Sequence, residues 1–273
     1  MTMGKVYLVG AGPGAPDLLT LRAARLLERA DVVFHDALVH PETIALAKHA
    51  ELVSVGKRCG AHSTAQRFIN KRLVDAARRH AIVVRLKGGD PMLFGRAQEE
   101  IAALVDAAIG YEVVPGVTAA LAASAQLGAS LTQRGVARTL VFVTPRIGDE
   151  ESGSDWTSAV IAADTAAIYM GAGQAASIAA ALIAKGKRAD TPVAVVRDAS
   201  LPHAAASVGA LSDLARLVDN ARGAEPGPAV ILIGEALRVA SVALVEQDAG
   251  GTDVDRASAT SAARDVPRRV AAA

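Results

Sequence analysis

Two adjacent glycines and a carboxylate follow a predicted strand in the first half of the chain. The apolar run Ala81–Leu86 leads directly into the segment KGGDP, residues 87–91. Glycine lets a backbone turn tightly and approach a ligand without a Cβ clash, and a proline holds the residue before it in an extended conformation. Loops at the carboxyl ends of strands are where open α/β folds bind small molecules. We therefore predict a ligand-binding loop here.

A second glycine-rich loop, GAGPGA at residues 10–15, also follows a predicted strand and precedes a predicted helix. It satisfies the loose dinucleotide pattern G-x-G-x-x-G/A, and Asp36 follows the next strand, where a ribose ligand is expected. Pro13 and Pro16 argue against this interpretation, since they remove N–H donors that would cradle a pyrophosphate. A nicotinamide-dependent oxidoreductase and a tight turn without a ligand are both compatible with this loop.

The elements that must position these loops alternate along the chain. Short apolar runs predict strands, and apolar residues at helical spacing predict helices between them, which is the pattern of a mostly parallel α/β sheet. Asp17 is a candidate cap for the first helix. The predicted strands are Lys5–Val9, Asp31–Phe34, Leu52–Val55, Ala81–Leu86, Glu112–Val114, Leu140–Thr144, Ala166–Met170, Pro192–Val196 and Ala229–Ile233.

We place a boundary at Pro115-Gly116, which gives an N-terminal α/β domain over residues 1–115 and a C-terminal α/β domain over residues 116–246. Residues 247–273 are rich in Ala, Ser, Asp and Arg without periodicity, and they predict a disordered tail. No internal repeat is visible.

Composition excludes several classes of function. The net charge of +1 gives no global field that would attract nucleic acid or a membrane. No apolar run approaches the ~20 residues of a membrane helix, and the N-terminus lacks the pattern of a signal peptide. The single cysteine, Cys59, cannot form an intramolecular disulfide, which fits a cytoplasmic protein. The six histidines show no metal-ligand spacing, so we predict no metal site.

Six motifs carry a resemblance to a known family, and they extend over roughly Lys5 to Leu237. In order, they are VYLVGAGPGAPDLLTLRAARLLERADVVFHDALV, VGKRCGAHSTAQRFIN, VVRLKGGDPMLFGR, VVPGVTAALAASAQLGASLTQRG, YMG and TPVAVV. Together they resemble the tetrapyrrole C-methyltransferases. The VGKR and HSxxQxxIN elements favour the members that methylate uroporphyrinogen III over those that act later in corrin synthesis.

The resemblance implies two α/β domains with a cofactor cleft between them, which is the tetrapyrrole methylase fold and not the Rossmann methyltransferase fold. It also implies a homodimer and S-adenosylmethionine as the methyl donor, with S-adenosylhomocysteine as its product. Matched residue by residue, the implied cofactor contacts are Pro13, Gly88, Gly89, Asp90, Leu93, Thr118, Ala119, Met170, Ala199 and Ala229.

The resemblance also assigns roles in catalysis. Asp36 and Lys57 match the positions of a proton acceptor and a proton donor. The tetrapyrrole substrate bears many carboxylates, which the forked guanidinium of arginine binds well. The candidate substrate-binding residues beside the motifs are Arg22, Arg58, Arg96 and Arg134.

The expected reaction is methylation of uroporphyrinogen III at two ring carbons to give precorrin-2, in siroheme or cobalamin biosynthesis. Three sites depart from the family pattern: His35, the pair Ala97-Gln98, and Gln133. They bear on substrate fit and rate. The alternatives are a sibling precorrin methyltransferase that acts on a later corrin intermediate, and the nicotinamide-dependent oxidoreductase.

Overall fold

The computed structural model describes residues 3–56, 66–147, 153–221 and 227–239. These residues form two five-stranded sheets with helices against their faces. The predicted α/β class is confirmed.

The first sheet is parallel throughout, with the order β3-β2-β4-β1-β5. Its strands are β1 (Lys5–Gly10), β2 (Val32–His35), β3 (Glu51–Ser54), β4 (Ile82–Lys87) and β5 (Gly110–Val114). The helices between them are α1 (Leu21–Arg29), α2 (Pro41–Ile44), α3 (Gln66–Ala77) and α4 (Ala97–Asp106). Because every strand runs the same way, the loops that follow β1, β2, β4 and β5 all emerge at one edge.

The first helix begins later than the sequence suggested. A short 3-10 turn, Pro16–Leu18, follows the first glycine loop, and Thr20 caps α1 by accepting a hydrogen bond on Oγ1 from the backbone of Ala23 at 3.2 Å. The prediction that Asp17 caps this helix is therefore wrong, because the chain makes an extra turn before α1 starts.

Strand β4 is buried on both faces, as a central parallel strand must be. Val83 packs with α3 and α4 on one face, where Leu73 and Leu104 are fully buried, while Val84 packs against α1 on the other. Each such aliphatic side chain contributes about 1.5–3 kcal/mol through its burial. Since side chains alternate along a strand, Arg85 lies on the same face as Val83, beneath α3 and α4.

The second sheet has the order β6-β7-β10-β8-β9. Its strands are β6 (Leu140–Val143), β7 (Thr165–Tyr169), β8 (Pro192–Arg197), β9 (Ala205–Ala210) and β10 (Ala229–Gly234). Helix α5 (Ala119–Gln126) packs on one face, and α6 (Trp156–Ala162), α7 (Ala175–Ala184) and α8 (Leu214–Asn220) pack on the other.

The prediction of a mostly parallel sheet is wrong for this second half. Only β6 and β7 are parallel, whereas β10 runs antiparallel to both β7 and β8, and β9 runs antiparallel to β8. Strand β9 was absent from the predicted elements because AASVGA carries a weak apolar pattern. The antiparallel insertion of β10 places the start of that strand beside the ends of β7 and β8.

Candidate active site

The two predicted ligand loops lie side by side at the carboxyl edge of the first sheet. β1 and β4 end in register, with Gly10 opposite Lys87. Beyond them, the Gly12 backbone N–H donates to the Gly89 carbonyl oxygen at 3.2 Å, and the Gly89 N–H donates to the Gly12 carbonyl oxygen at 2.7 Å. Gly89 has φ +67°, a conformation that glycine adopts without strain. Gly12 also has a positive φ, +74°, so the backbone conformation of each loop favours glycine at this contact.

Asp90 ties the same edge to the end of β5. Its Oδ2 accepts a hydrogen bond from the Gly116 N–H at 2.9 Å, and its Oδ1 accepts one from the Met92 N–H at 2.8 Å. The backbones of Gly10 and Gly116 are in close contact, since a Cβ atom added to Gly10 would stand 2.6 Å from the Gly116 Cα. Asp90 therefore has a structural task in addition to the ligand contact predicted for it.

The dinucleotide interpretation of the first glycine loop is not supported by this geometry. The backbone donor and acceptor of Gly12 are used by Gly89, and α1 starts only at Leu21, so its N-terminus does not cap the loop as a pyrophosphate site requires. The strand order β3-β2-β4-β1-β5 also differs from the dinucleotide order 3-2-1-4-5-6.

Residues of the second sheet reach the same region through Tyr169, the last residue of β7. Its hydroxyl lies 2.7 Å from Thr118 Oγ1 and accepts a hydrogen bond from the Ala120 N–H at 3.0 Å. Its ring centroid lies 5.3 Å from that of Phe94, which belongs to the loop after β4. Burial raises the pKa of the Tyr169 hydroxyl above its usual value. Met170 follows with φ +56° and is 45% exposed.

The loop after β8 touches the first glycine loop. The Ser200 Oγ accepts a hydrogen bond from the Ala15 N–H at 3.0 Å, and both neighbours of Ala199 have a positive φ, 50° at Asp198 and 76° at Ser200. Ala199 itself is buried. Ala229 pairs with the last residue of β8, so it lies at this edge of the second sheet as well.

Several apolar side chains around these loops are exposed to solvent. Leu38, Met92, Phe94 and Met170 are 63%, 55%, 38% and 45% exposed. Leu38 lies against Gly88, because a Cβ atom added to that glycine would stand 3.2 Å from the Leu38 Cβ. These side chains offer apolar contacts to a ligand at the glycine-rich edge.

A buried group of charges lies directly behind this edge. Asp36, the residue after β2, accepts on Oδ1 from the Arg85 Nη2 at 2.6 Å. The Asp36 side chain is 28% exposed, whereas that of Arg85 is only 3% exposed. The aspartate is therefore reachable from solvent while its partner is held inside the protein.

Three donors converge on one oxygen of Glu100, which α4 supplies. Glu100 Oε1 accepts from the Arg85 Nε at 3.0 Å, the Lys87 Nζ at 3.0 Å and the Gln66 Nε2 at 3.1 Å. Burial disfavours the charged form of Arg85, but the negative charges of Asp36 and Glu100 favour it more strongly. The pKa of Arg85 is therefore raised above its usual value. Burial, followed by the charge of Arg85, lowers the pKa of Lys87.

Two of the candidate substrate-binding arginines form ion pairs with acidic side chains. Arg22 pairs with Glu112 at 3.3 Å, and the other carboxylate oxygen of Glu112 pairs with Lys5, the first residue of β1. Arg96 binds both carboxylate oxygens of Glu99. Arg134 is exposed in the turn before β6.

Lys57, Arg58 and Cys59 lie outside the described residues, so the predicted proton donor and one substrate arginine remain predictions. The cofactor positions Pro13, Leu93 and Ala119 are half-buried in or beside the loops described above.

Sequence reasoning missed Arg85, Lys87, Glu100, Phe94 and Tyr169. One signal was available: Arg85 and Lys87 are charged residues two apart within an otherwise apolar strand, and such residues point to the same face. Charges that must be buried with a core require partners. The partner on α4 cannot be read from the sequence, because two adjacent glutamates, Glu99 and Glu100, were equally available.

In the part of the chain that the structure describes, no group of three or more His, Cys, Asp or Glu side chains is arranged to hold a metal ion. Over the same residues, none of the helices combines the length and the apolar character needed to span a bilayer.

Comparison with known proteins agrees with this fold and this arrangement of loops. The family model of the Tetrapyrrole (Corrin/Porphyrin) Methylases matches residues 5–215. The chain therefore belongs to the tetrapyrrole methylase family, and its fold is that of the family rather than the Rossmann methyltransferase fold.

Two solved structures are similar along nearly their whole length. A uroporphyrin-III C-methyltransferase from Thermus thermophilus, complexed with S-adenosylhomocysteine, superposes with a TM-score of 0.74 at 40% identity, covering 86% of this chain and 100% of that one. A cobalt precorrin-4 methyltransferase of cobalamin biosynthesis superposes with a TM-score of 0.73 at 30% identity, covering 85% and 95%.

Longer proteins also match. Siroheme synthase 1 of Klebsiella pneumoniae is 45% identical over 237 residues, which is 86% of this chain and 50% of that protein. A siroheme synthase of Zymomonas mobilis is 44% identical over 233 residues, 85% of this chain and 49% of that protein. The chain thus spans about half the length of these relatives.

Proposed function

We propose that this protein transfers methyl groups from S-adenosylmethionine to two ring carbons of uroporphyrinogen III, giving precorrin-2 for siroheme or cobalamin biosynthesis. One observation carries the proposal: the glycine loops of the first sheet meet Thr118 and Tyr169 at one edge, directly in front of the Asp36–Arg85 pair. The 40% identity to a uroporphyrin-III C-methyltransferase supports it.

The residues present at this edge fit the methyl donor. Gly89 leaves open space, since a Cβ atom there would meet only the Thr118 Cα, at 4.0 Å. Backbone polar groups and small side chains can therefore approach an adenosine and an amino-acid moiety closely. We propose Pro13, Gly88, Gly89, Asp90, Leu93, Thr118, Ala119, Met170, Ala199 and Ala229 as the residues that hold it. When bound, S-adenosylmethionine supplies an electrophilic methyl group on a sulfonium.

Asp36 is proposed to take the proton that the ring carbon must lose. When the nucleophilic pyrrole carbon forms a bond to the methyl group, the sulfur–methyl bond breaks, and a proton leaves the macrocycle to the base. Arg85 fixes Oδ1 of Asp36, and the Asp36 side chain stays 28% exposed. This exposure supports the proposal, because a general base must come within hydrogen-bond reach of the proton it takes. Lys57 is proposed either to donate a proton to the macrocycle or to pair with one of its carboxylates.

The exposed apolar side chains Leu38, Met92 and Phe94 are proposed to receive the face of the macrocycle. Its carboxylates would be bound by Arg22, Arg58, Arg96 and Arg134, which are the proposed substrate-binding residues. Alignment of the methyl group and the ring carbon in a site from which water is excluded would then supply most of the acceleration.

The test is anaerobic incubation with uroporphyrinogen III and S-adenosylmethionine, followed by the mass of the product. Two added methyl groups are the expected result. An Asp36→Asn variant should still bind S-adenosylhomocysteine and should lose about 10²–10⁴ in rate, the usual contribution of a positioned general base. Absence of any methylation by the wild-type protein would refute the proposed substrate.

The second candidate is methylation of a later corrin intermediate. The 30% identity and TM-score of 0.73 to a cobalt precorrin-4 methyltransferase favour it over other chemistries. Binding of S-adenosylhomocysteine without methylation of uroporphyrinogen III would select this candidate. Stabilisation by NAD and not by S-adenosylhomocysteine would instead revive the nicotinamide-dependent oxidoreductase.

The organisation of the protein is part of the same proposal. We propose two domains divided at residues 115/116, with the cofactor between them, a homodimer as the working form, and action in the cytoplasm. The tail, residues 247–273, lies outside the described residues, and its predicted disorder remains a prediction.

A further inference from the structure

Glu100 is the most deeply buried member of the charge cluster behind the proposed active site. Its side chain has no exposed surface, while those of Arg85 and Lys87 are 3% and 4% exposed. Removing charges from water is costly unless they are paired and fully hydrogen-bonded. A buried ion cluster of this kind often stabilises a fold no more than apolar residues would. Stability alone therefore does not explain why these charges lie beside the proposed reacting groups.

The pairing within the cluster is uneven. Glu100 Oε1 accepts three hydrogen bonds, whereas Oε2 is buried and has no partner among the described residues. An oxygen left in this way carries a desolvation cost. The orientation of the Glu100 carboxylate therefore serves the three donors on Oε1, although it leaves Oε2 without a hydrogen bond.

Arg85 links this buried carboxylate to the exposed one. Its Nε faces Glu100 at 3.0 Å, and its Nη2 faces Asp36 at 2.6 Å. Its Nη1 donates to the Leu86 carbonyl oxygen at 3.1 Å. The guanidinium is a rigid planar fork, so fixing Nε on Glu100 determines where Nη2 points.

We propose that Glu100 is a positioning residue for methyl transfer: through Arg85 it holds the Asp36 carboxylate in the orientation that receives the ring proton. This inference rests on the proposed role of Asp36 and assigns a function to a residue that does not itself reach the substrate. Lys87 and Gln66 donate to the same Glu100 oxygen and help to hold it in place.

Glu100→Gln is the primary variant, because it preserves size and removes the charge. We expect kcat to fall by about tenfold, a part of the ~10²–10⁴ that a positioned base supplies. The dissociation constant for S-adenosylhomocysteine should stay within about twofold, because the Glu100 side chain hydrogen-bonds to Arg85, Lys87 and Gln66, none of which is a proposed cofactor residue.

A double-mutant cycle separates positioning from general damage. If Glu100 acts through Asp36, then Glu100→Gln should change the single-turnover rate by less than about twofold in an Asp36→Asn background. The same fold-loss in both backgrounds would overturn the proposal.

Two control variants change side chains of α3 and α4 that do not hydrogen-bond to Glu100, Arg85 or Asp36. Asp75→Asn removes a carboxylate of α3 that pairs with Lys71 at 2.6 Å on the surface. Leu104→Val removes a methylene from the fully buried core beneath α4. Both should retain wild-type kcat. A tenfold loss in Leu104→Val would show that α4 packing alone accounts for the effect.

A crystal structure of Glu100→Gln gives a readout that is independent of substrate. The expected result is an Arg85 guanidinium that has turned from its wild-type orientation and has moved the Asp36 carboxylate with it. An unchanged orientation of both side chains would refute the positioning role even if the proposed substrate were wrong. If Glu100→Gln does not fold, Arg85→Lys serves instead, because a single ammonium cannot bridge both carboxylates as the fork does; it should lower kcat with unchanged cofactor affinity, and wild-type kcat would refute the proposal.

Discussion

Gly116→Ala is the sharpest test of how the strand ends of the first sheet are joined. A Cβ atom at this position would stand 2.9 Å from the Gly10 Cα and closer still to the Gly89 carbonyl oxygen. Real Cβ atoms do not approach other atoms within 3.0 Å. The added methyl group must therefore push the ends of β1, β4 and β5 apart, because its neighbours are backbone atoms that cannot rotate away.

The cost can be worked from these contacts. Overpacking of a rigid site costs about 1–3 kcal/mol. The Asp90 Oδ2–Gly116 N–H hydrogen bond at 2.9 Å would also be strained, and hydrogen bonds to charged groups contribute about 1.5–3 kcal/mol. We expect the free energy of unfolding to fall by about 2–5 kcal/mol. Because the same loops are proposed to hold the methyl donor, affinity for S-adenosylhomocysteine should fall by about tenfold or more.

Urea denaturation and calorimetric titration of S-adenosylhomocysteine are the assays. Gly173→Ala is the matched control, since a Cβ atom there meets nothing within 4 Å and its φ is compatible with alanine. That control should unfold within about 0.5 kcal/mol of the wild type. If Gly116→Ala behaves as Gly173→Ala does in both assays, the close packing of the three strand ends is not required and the reasoning fails.

Three further changes test other parts of the structure. Tyr169→Phe removes the hydroxyl that contacts Thr118 at 2.7 Å; we expect a loss of about 1–3 kcal/mol in the free energy of unfolding and weaker binding of S-adenosylhomocysteine. Wild-type values in both would contradict the role assigned to this hydroxyl at the start of α5. Hydrogen bonds from two backbone amides and the Thr139 hydroxyl lower the pKa of Asp164. The Asp164 carboxylate therefore adds to the free energy of unfolding above the unfolded-state pKa of about 3.9, and this addition is lost as pH falls through the lower folded-state pKa. Asp164→Asn should therefore be less stable than wild type at pH 7 and approach it at low pH, and a pH-independent difference in urea midpoints would contradict this. Leu182 lies in the fully buried core of the second sheet, and Leu182→Ala should lower the free energy of unfolding by about 2–5 kcal/mol in the same denaturation assay. A loss of only about 0.5 kcal/mol, as surface substitutions give, would contradict the assigned packing.

Local patterns predicted the first half of the fold well. The apolar runs gave each strand of the parallel sheet to within a few residues, since a strand buried on both faces reads as a continuous apolar run. The glycine-rich loops were also placed at strand ends, because glycine and proline interrupt regular structure in a way that is visible in the sequence. The family likewise followed from motifs in a fixed order.

The direction of the strands in the second half was not predictable from the same patterns. Ala229–Gly234 and Pro192–Arg197 are both apolar runs, yet they pair antiparallel. An apolar run records burial, and burial is the same whichever way a neighbouring strand points. The long connections between these strands allow either direction, so tertiary packing decides.

By itself, the sequence determined that the chain is an α/β protein of the tetrapyrrole methylase family, with two glycine loops and an aspartate at strand ends. Only the tertiary structure decided which charges meet. Asp36 lies 49 residues from Arg85, and Arg85 lies 15 residues from Glu100; Thr118 lies 51 residues from Tyr169. Contacts across such separations depend on the order of strands in the sheet and on the helix face turned toward it, and local residue patterns do not encode either.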